Sequence, residues 1–315
     1  MANQTGVVTA NVLNLRQGPA ADSPALTALA RGTRVEVLGR EGAWYRVKAG
    51  ERTGYVHGDW VRILDTDPAA GFLYERDDLK AVPLAPADAG KISMKSSFNG
   101  TQKLVASTWN TQGGLLGVLS DVVQVDPAAA IAVLCVESSG RGFADDGRMI
   151  IRFENHVFWD KWGQAHADDF NGHFRFTRNK AWLGHQFCAT AGGAWSDCHK
   201  NQAGEWQVFG FARTLDEPSA IRAISMGGPQ IMGFNHHAIG YESPRAMFDN
   251  FQADLRYQIL GLFDFVKGSG TTSPLLEALR RQRFDDFALR YNGSGQVAEY
   301  GSRIQRFCAA FQGLR

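Results

Sequence analysis

The stretch VDPAAAIAVLCVESSGRGF, residues 125 to 143, carries signals for both ends of one helix. Asp126 is a typical N-cap residue, and Pro127 suits the first turn because its missing N–H would have no partner there. An apolar run follows, and Gly140 is a typical helix terminator. The stretch therefore predicts a short, apolar helix that ends at the two serines.

Glu137 is the only charged residue between residues 127 and 140. It falls in the last turn, where the partial negative charge of the helix end and apolar neighbours both disfavour an ionised carboxylate. A carboxyl group that keeps its proton near neutral pH can act as a general acid. The Ser-Ser-Gly that follows would let the side chain face a cleft. Glu137 is therefore a candidate catalytic acid, and the alternative is an ordinary surface glutamate.

The composition of the chain narrows the possible functions. Its 315 residues are 44% hydrophobic and 21% charged, as in ordinary globular proteins, with room for two domains. The net charge of +1 gives no basic field for nucleic acid, and no apolar run is long enough to cross a membrane. No signal peptide is visible at the N-terminus.

The chain reads as three segments. Residues 1–65 contain short alternating strands separated by turn residues, which predicts a small all-β barrel. Residues 66–100 are rich in Pro, Ala and Gly and read as a linker. Residues 101–315 show helical patterns, which predict an amphipathic helix over 114–123 and the longest helix over 243–268, with one clear strand at 147–154. The predicted class is α+β, a small β-barrel followed by a mostly helical domain with a small sheet.

Three motifs of the first segment resemble the bacterial SH3 family. They are NLRQGP at 14–19, WYRV at 44–47, and GYV followed by Trp60 at 54–60. The resemblance implies a module that binds the bacterial cell wall.

Four ordered motifs in the last segment resemble the lysozyme and lytic-transglycosylase superfamily. The more specific resemblance is to the N-acetylmuramidase family of phages and bacteria. The motifs are VESSGRGF at 136–143, FENHVF at 153–158, MGGPQIMGFN at 226–235 and RYNG at 290–293. One departure is Ser139, which stands where the family usually has Gly.

This resemblance assigns roles to named residues. Glu137 would be the general acid that protonates the leaving glycosidic oxygen. Gln230 and Asn292 would contact the sugar or its N-acetyl group, and Tyr291 would bound the cleft near the acid. No cofactor or metal is expected, because carboxylates alone can cleave glycosidic bonds.

Most glycoside hydrolases need a second carboxylate. Glu154 is the first candidate, because a strand that folds back beside the catalytic helix could place it across the cleft. Asp145 and Asp146, in the turn after the helix, are the alternatives. If none of them serves, the N-acetyl or 6-hydroxyl group of the sugar would take the role, and the 6-hydroxyl route would make the enzyme a lytic transglycosylase.

The cysteines leave several possibilities open. His185, Cys188, Cys198 and His199 include residue types that bind zinc, but their spacing fits no common zinc motif, and no metal is predicted. Cys188 and Cys198 could equally form a disulfide or stay reduced. Cys135 could serve a cysteine peptidase, although its apolar surroundings favour a core position.

The sequence therefore predicts a peptidoglycan hydrolase that cleaves the β-1,4 bond between N-acetylmuramic acid and N-acetylglucosamine. The alternatives are a lytic transglycosylase and a non-catalytic wall-binding protein. The expected partner is bacterial peptidoglycan, with neither nucleic acid nor membrane, and the expected state is a monomer. The expected location is the cell wall or extracellular space, reached by secretion or by release through lysis.

Overall fold

The computed structural model describes residues 4–64, 69–268, 273–293 and 297–315, without the side chains of Gln4, Arg62, Leu64, Ser138 and Asn292. The chain divides into two compact units, Met1–Ala70 and Gly71–Arg315.

The first unit is a seven-stranded antiparallel sheet with the order β3-β2-β6-β5-β4-β1-β7. Its strands are β1 Gln4–Val8, β2 Val12–Arg16, β3 Ala25–Ala30, β4 Arg34–Glu41, β5 Trp44–Ala49, β6 Arg52–His57 and β7 Val61–Leu64. The sheet closes around a small aliphatic core because alternate side chains of each strand point inward, as Leu13 and Leu15 of β2 do. The predicted all-β N-terminal unit is confirmed.

The second unit is mostly helical and carries two small three-stranded sheets. Its helices are α1 Asp77–Lys80, α2 Gly100–Val123, α3 Pro127–Ser138, α4 Asn155–Lys161, α5 Ala167–His173, α6 Gln202–Leu215, α7 Glu217–Arg222, α8 Pro244–Ala253, α9 Leu255–Lys267, α10 Pro274–Arg280, α11 Phe284–Asn292 and α12 Val297–Gln312. Its strands are β8 Ile151–Phe153, β9 Phe174–Arg175, β10 Gln186–Phe187, β11 Ser196–Asp197, β12 Ile224–Met226 and β13 Ile231–Met232. The predicted α+β class is confirmed.

The predicted helix in the opening stretch is α3, and it is buried on all sides. Asp126 caps it by accepting a hydrogen bond from the N–H of Ala128 at 2.8 Å. Every residue from 128 to 136 is buried, and α3 packs against both α2 and α12. Helical periodicity predicts that a helix buries one apolar face. Helix α3 instead buries its whole circumference, which is why it is apolar on every side.

Residues 71–100 differ from the predicted linker because they pack onto the helical unit. The backbone N–H groups of Leu73 and Tyr74 donate to Asp264 of α9, at 2.8 and 3.1 Å. Leu73 and Leu79 are buried, and the indole N–H of Trp109 donates to the carbonyl of Gly90. The Pro, Ala and Gly content reflects an irregular path across the helices, and the buried leucines hold it in place.

The predicted longest helix over 243–268 is instead two helices, α8 and α9, and α2 is the longer element. The break is at Asp254, whose backbone is extended with φ −153° and ψ 133°. Its carboxylate accepts a hydrogen bond from the N–H of Arg256 at 2.8 Å and so caps α9. A side chain that can cap a new helix competes with continuation of the old one.

Strand β8 forms the edge of a sheet with the order β13-β12-β8. Ile151 pairs with Met226, and Phe153 pairs with Ile224. The turn from Gly227 to Gln230 therefore lies beside the N-terminal end of β8, whereas Glu154 follows the C-terminal end of that strand. This sheet positions two of the four sequence motifs.

Candidate active site

Glu137 occupies the last turn of α3, as predicted, and is half-buried. The helix ends because Ser139 takes a left-handed conformation, with φ 55°. Gly140 follows at φ 70°, where a Cβ atom would overlap the side chain of Thr108 in α2. The amide of Gln112 donates to the carbonyl of Gly140 at 2.6 Å. Glu137 is therefore presented by a helix end that is fixed against a second helix.

Tyr291 of α11 lies close to this acid. Burial raises the pKa of its hydroxyl well above 10, and the negative charge of Glu137 raises it further. The hydroxyl donates to the carbonyl of Pro229 at 2.9 Å, and the ring stacks on Phe287. Tyr291 thus holds the turn between β12 and β13 against α11 and lies within the electrostatic reach of Glu137.

Gln230 ends that turn in a left-handed conformation, with φ 53°. Its amide oxygen accepts a hydrogen bond from the hydroxyl of Ser225 at 2.8 Å, and its amide nitrogen donates to the carbonyl of Gly227 at 2.7 Å. The side chain therefore closes its own turn. Contact with a sugar would use the second lone pair of the amide oxygen and the second N–H of the amide nitrogen.

Gln258 of α9 is a residue that sequence reasoning missed. It is fully buried, and its amide oxygen accepts a hydrogen bond from the N–H of Gly228 at 2.8 Å. Its amide nitrogen donates to the carbonyl of Phe251 at 2.8 Å. A Cβ atom at Gly142 would overlap the same amide. Gln258 thus supports the loop after Glu137 and the turn before Gln230 together.

Asn292 is a further residue that the sequence predicts to contact the sugar. It is the last residue of α11, before Gly293 at φ 80°, and its side chain lies outside the described part of the structure. Its contact with the sugar stays a prediction.

Asp145 and Asp146 lie at the tip of a hairpin closed by a bridge between Phe143 and Met149. Asp145 is highly exposed and pairs with Arg141 at 2.7 Å. Asp146 pairs with Arg148 at 2.6 Å, which lowers the pKa of its carboxyl. Both carboxylates are therefore engaged in local ion pairs.

Glu154 lies at the far end of β8 from the Gly227 turn. Its N–H donates to the carbonyl of Ala223, whereas the N–H of Gly227 donates to the carbonyl of Ile150. The four residue-to-residue steps of extended chain from Ile150 to Glu154 correspond to about 13 Å. The sheet therefore separates Glu154 from the turn that Tyr291 links to Glu137, and the role of second carboxylate stays a prediction.

The carboxyl of Glu154 is surrounded by basic groups. Burial by itself would raise its pKa, but the neighbouring side chains of His156, His185, Arg152 and His199 outweigh burial and lower the pKa to about 2. The group is therefore a carboxylate at neutral pH, which suits a ligand or a base and not an acid.

All four cysteines are buried and carry free thiols. The thiol of Cys188 lies 2.7 Å from the carbonyl of Thr190, and that of Cys198 lies 3.6 Å from the amide oxygen of Asn155. Of the possibilities that the sequence leaves open, the structure therefore has reduced thiols.

The first unit has a groove lined by aromatic side chains. Trp44, His57 and Trp60 lie along it beside Val12. Trp60 is 52% exposed, and the rings of Trp44 and His57 meet edge to face at 5.1 Å. An exposed tryptophan beside a partly apolar groove is typical of a ligand-binding surface.

Comparison with known proteins assigns both units. The N-acetylmuramidase family model matches residues 126–312, more than half of the chain. This chain belongs to the N-acetylmuramidase family. The bacterial SH3 domain model matches residues 11–62. The muramidase is therefore a peptidoglycan hydrolase with an added SH3 unit, and both predicted resemblances are confirmed.

A solved structure, the crystal structure of Burkholderia AP3 phage endolysin, is also similar. The two proteins are 28% identical with a TM-score of 0.49, over 63% of this muramidase and 70% of the endolysin chain. No curated protein sequence is significantly similar to the muramidase. In the part of the chain that the structure describes, no helix combines the length and apolar character needed to span a bilayer.

Proposed function

We propose that this peptidoglycan hydrolase is a lysozyme-type muramidase that cleaves the β-1,4 bond between N-acetylmuramic acid and N-acetylglucosamine, with Glu137 as the general acid. The observation that carries the proposal is the position of Glu137 at the fixed end of α3, close to Tyr291 and the turn that precedes Gln230.

The chemistry of the proposal follows from this arrangement. Glu137 protonates the glycosidic oxygen as the bond to the leaving sugar breaks, because an alcohol leaves more readily than an alkoxide. Tyr291 bounds the cleft and, with its hydroxyl donated to Pro229, orients the turn. Gln230 and Asn292 contact the sugar. A water molecule completes hydrolysis, and the base or nucleophile is Glu154, Asp145, Asp146 or the substrate's own N-acetyl group.

The SH3 unit supports the reaction by binding the insoluble wall. Once it is bound, the catalytic unit meets glycosidic bonds at a raised effective concentration. The muramidase accordingly acts at the cell wall.

Mass spectrometry of the fragments released from purified peptidoglycan tests the proposal. The wild type should release fragments with a reducing N-acetylmuramic acid end, and Glu137→Gln should release about a thousandfold less, because the amide cannot donate a proton as an acid does. The exposed Glu242 offers a matched control, and Glu242→Gln should behave as wild type.

Other products would reject parts of the proposal. Fragments lighter by one water, with a 1,6-anhydro end, would identify a lytic transglycosylase that still uses Glu137. Unchanged activity of Glu137→Gln, or cleavage of peptide bonds, would overturn the role of Glu137.

A further inference from the structure

A cluster of metal-binding residue types lies outside the proposed acid site. Glu154 follows β8, His156 is in the first turn of α4, and His185 precedes β10. One ligand atom from each of the three lies within 4.8 Å of the other two. His199 is adjacent, with its ring centroid 4.8 Å from that of His185.

The spacing of these atoms matches a tetrahedral site. Oε2 of Glu154 lies 3.4 Å from Nδ1 of His156 and 3.4 Å from Nδ1 of His185. Two ligands bonded to one Zn²⁺ at about 2.0–2.1 Å with tetrahedral angles are roughly 3.3–3.4 Å apart. Two of the three pairs of ligand atoms therefore already have the separation that a shared ion would impose, and the two histidine nitrogens lie within 4.8 Å of each other.

The tautomer of His185 leaves a lone pair directed toward the carboxylate. Its Nε2 lies 2.7 Å from the carbonyl oxygen of Ala181, so Nε2 carries the hydrogen. Among the described residues, its Nδ1 then accepts a single long hydrogen bond, from the N–H of Asn155 at 3.3 Å, and faces Oε2 of Glu154. Two acceptor atoms face each other favourably only with a cation or a proton between them.

Oε2 of Glu154 and Nδ1 of His156 also lack hydrogen-bond partners among the described residues. Oε1 of Glu154 accepts a hydrogen bond from Arg152 at 2.9 Å, which leaves Oε2 to face the histidines. Both Oε2 of Glu154 and Nδ1 of His156 are buried. Polar atoms buried in this way call for a ligand.

His199 has the arrangement of a metal-binding histidine. Its Nδ1 lies 2.8 Å from the carboxylate of Glu205, and its Nε2 is buried without a hydrogen-bond partner in the described part of the chain. The other oxygen of Glu205 accepts a hydrogen bond from the N–H of Phe153 at 2.7 Å. A carboxylate that fixes one ring nitrogen while the other faces a metal is a recurrent second layer of zinc sites.

We propose that Glu154, His156 and His185 bind one Zn²⁺ through Oε2 and the two Nδ1 atoms, and that the adjacent His199 moves its Nε2 into the fourth position when the ion binds. Imidazole nitrogens with one carboxylate suit Zn²⁺, whereas Mg²⁺ and Ca²⁺ prefer oxygen ligands alone. This ligand set differs from the histidine and cysteine pattern in the sequence, because Cys188 and Cys198 hydrogen-bond elsewhere. It also replaces the expectation of no metal.

The ion would have a structural role, and a Glu154 bound to it would no longer be available as the base or nucleophile. His185 and His199 belong to residues 174–200, whose regular structure comprises three two-residue strands and a single turn of 3-10 helix. So little secondary structure gives this segment few backbone constraints of its own. A shared ion would fasten it to β8 and α4, in the way that structural zinc sites contribute folding energy.

Metal binding by the full-length protein, freed of any histidine tag and treated with a chelator, tests the proposal. Calorimetric titration with Zn²⁺ should give one equivalent bound, and Co²⁺ should give the visible absorption bands of a tetrahedral site. Zn²⁺ at 100-fold above its Kd should raise Tm by about 5–10 °C.

Variants at partly exposed ligands identify the site. Glu154→Gln and His156→Ala should each weaken Zn²⁺ binding at least about tenfold. The exposed His237 supplies the matched control, and His237→Ala should bind as wild type does. If a variant fails to fold, the Co²⁺ spectrum of the wild type still shows whether the protein has a tetrahedral metal site.

Two results would overturn the proposal. One is a wild type that binds no Zn²⁺ and shows no Co²⁺ bands, which would make the cluster an ion pair of Glu154 with protonated His156. The other is equal binding by the wild type and both variants, which would place the metal elsewhere. Neither result bears on the role of Glu137.

Discussion

Gln258 is a single polar side chain that connects two loops of the candidate active site. Its amide reaches Gly228 and Phe251 and packs against Gly142. The sequence gives no sign of this role, because a glutamine in a helix is ordinarily a solvated residue. Glu137 could be predicted, since a lone charge at the end of an apolar helix is unusual. Gln258 could not, because its partners are brought together only by the tertiary fold.

Gln258→Met should lower both stability and activity. The change keeps the volume of the side chain but leaves the N–H of Gly228 and the carbonyl of Phe251 without their partner, at a cost of roughly 2 kcal/mol in the free energy of unfolding. We also expect at least about a tenfold loss of turnover, because the two loops shift relative to Glu137. Denaturant unfolding and turnover on soluble glycan fragments measure the two effects.

The exposed Gln305 provides the comparison, and Gln305→Met should leave both quantities unchanged. Full activity of Gln258→Met would show that the loops hold their positions without it.

The thiols give a second prediction for individual residues. Burial raises the pKa of Cys135 and of Cys198 to about 12 each, so their reactive thiolate forms are scarce at pH 8. Both should therefore resist alkylation in the native protein and react rapidly in denaturant without reductant. Peptide mapping after alkylation measures this, and a Cys188–Cys198 disulfide in the non-reduced map would contradict the structure.

Among the elements, α3 was predictable at both ends and α2 only at one. Helix α2 begins at Gly100 with a reciprocal cap between Asn99 and Gln102, whereas the sequence pattern predicts a helix only from Gly114. The pair Gly113 and Gly114 reads as a break. In the structure these glycines allow close contact, because a Cβ atom at Gly114 would overlap the backbone of the segment that crosses α2. Packing thus overrides the local preference of glycine.

The division between α8 and α9 predicts a specific effect of Asp254. Asp254→Ala should lower the free energy of unfolding by about 1 kcal/mol, because the first turn of α9 loses its cap. Asp254→Asn retains a capping oxygen and should stay close to wild type. Thermal unfolding of the two variants measures the difference, and a more stable Asp254→Ala protein would instead favour one continuous helix.

For the molecule as a whole, the order of four motifs was enough to predict the family, since together they span most of the catalytic unit. The boundary between the units was not predictable from composition. A Pro- and Ala-rich segment looks the same whether it links two domains or packs across one, and only the burial of residues such as Leu73 and Leu79 distinguishes the two cases.

The aromatic groove of the SH3 unit predicts a separation of binding from catalysis. Trp60→Ala should weaken retention on peptidoglycan sacculi about tenfold, because exposed tryptophans at binding sites commonly carry a large share of the affinity. Turnover on soluble glycan fragments should not change. Leu38 is also exposed in this unit but does not line the groove, so Leu38→Ala is the control for both assays.

The attachment of residues 71–76 to Asp264 decides where the enzyme can be shortened or joined to a different targeting module. A chain trimmed to residue 101, the predicted start of the catalytic domain, would strip two N–H donors from a buried carboxylate and uncover the apolar surface that Leu73 and Leu79 fill. A chain that begins at Gly71 would keep both. Exchange of wall-binding modules should therefore be made ahead of Gly71, where a new fusion leaves the catalytic unit whole.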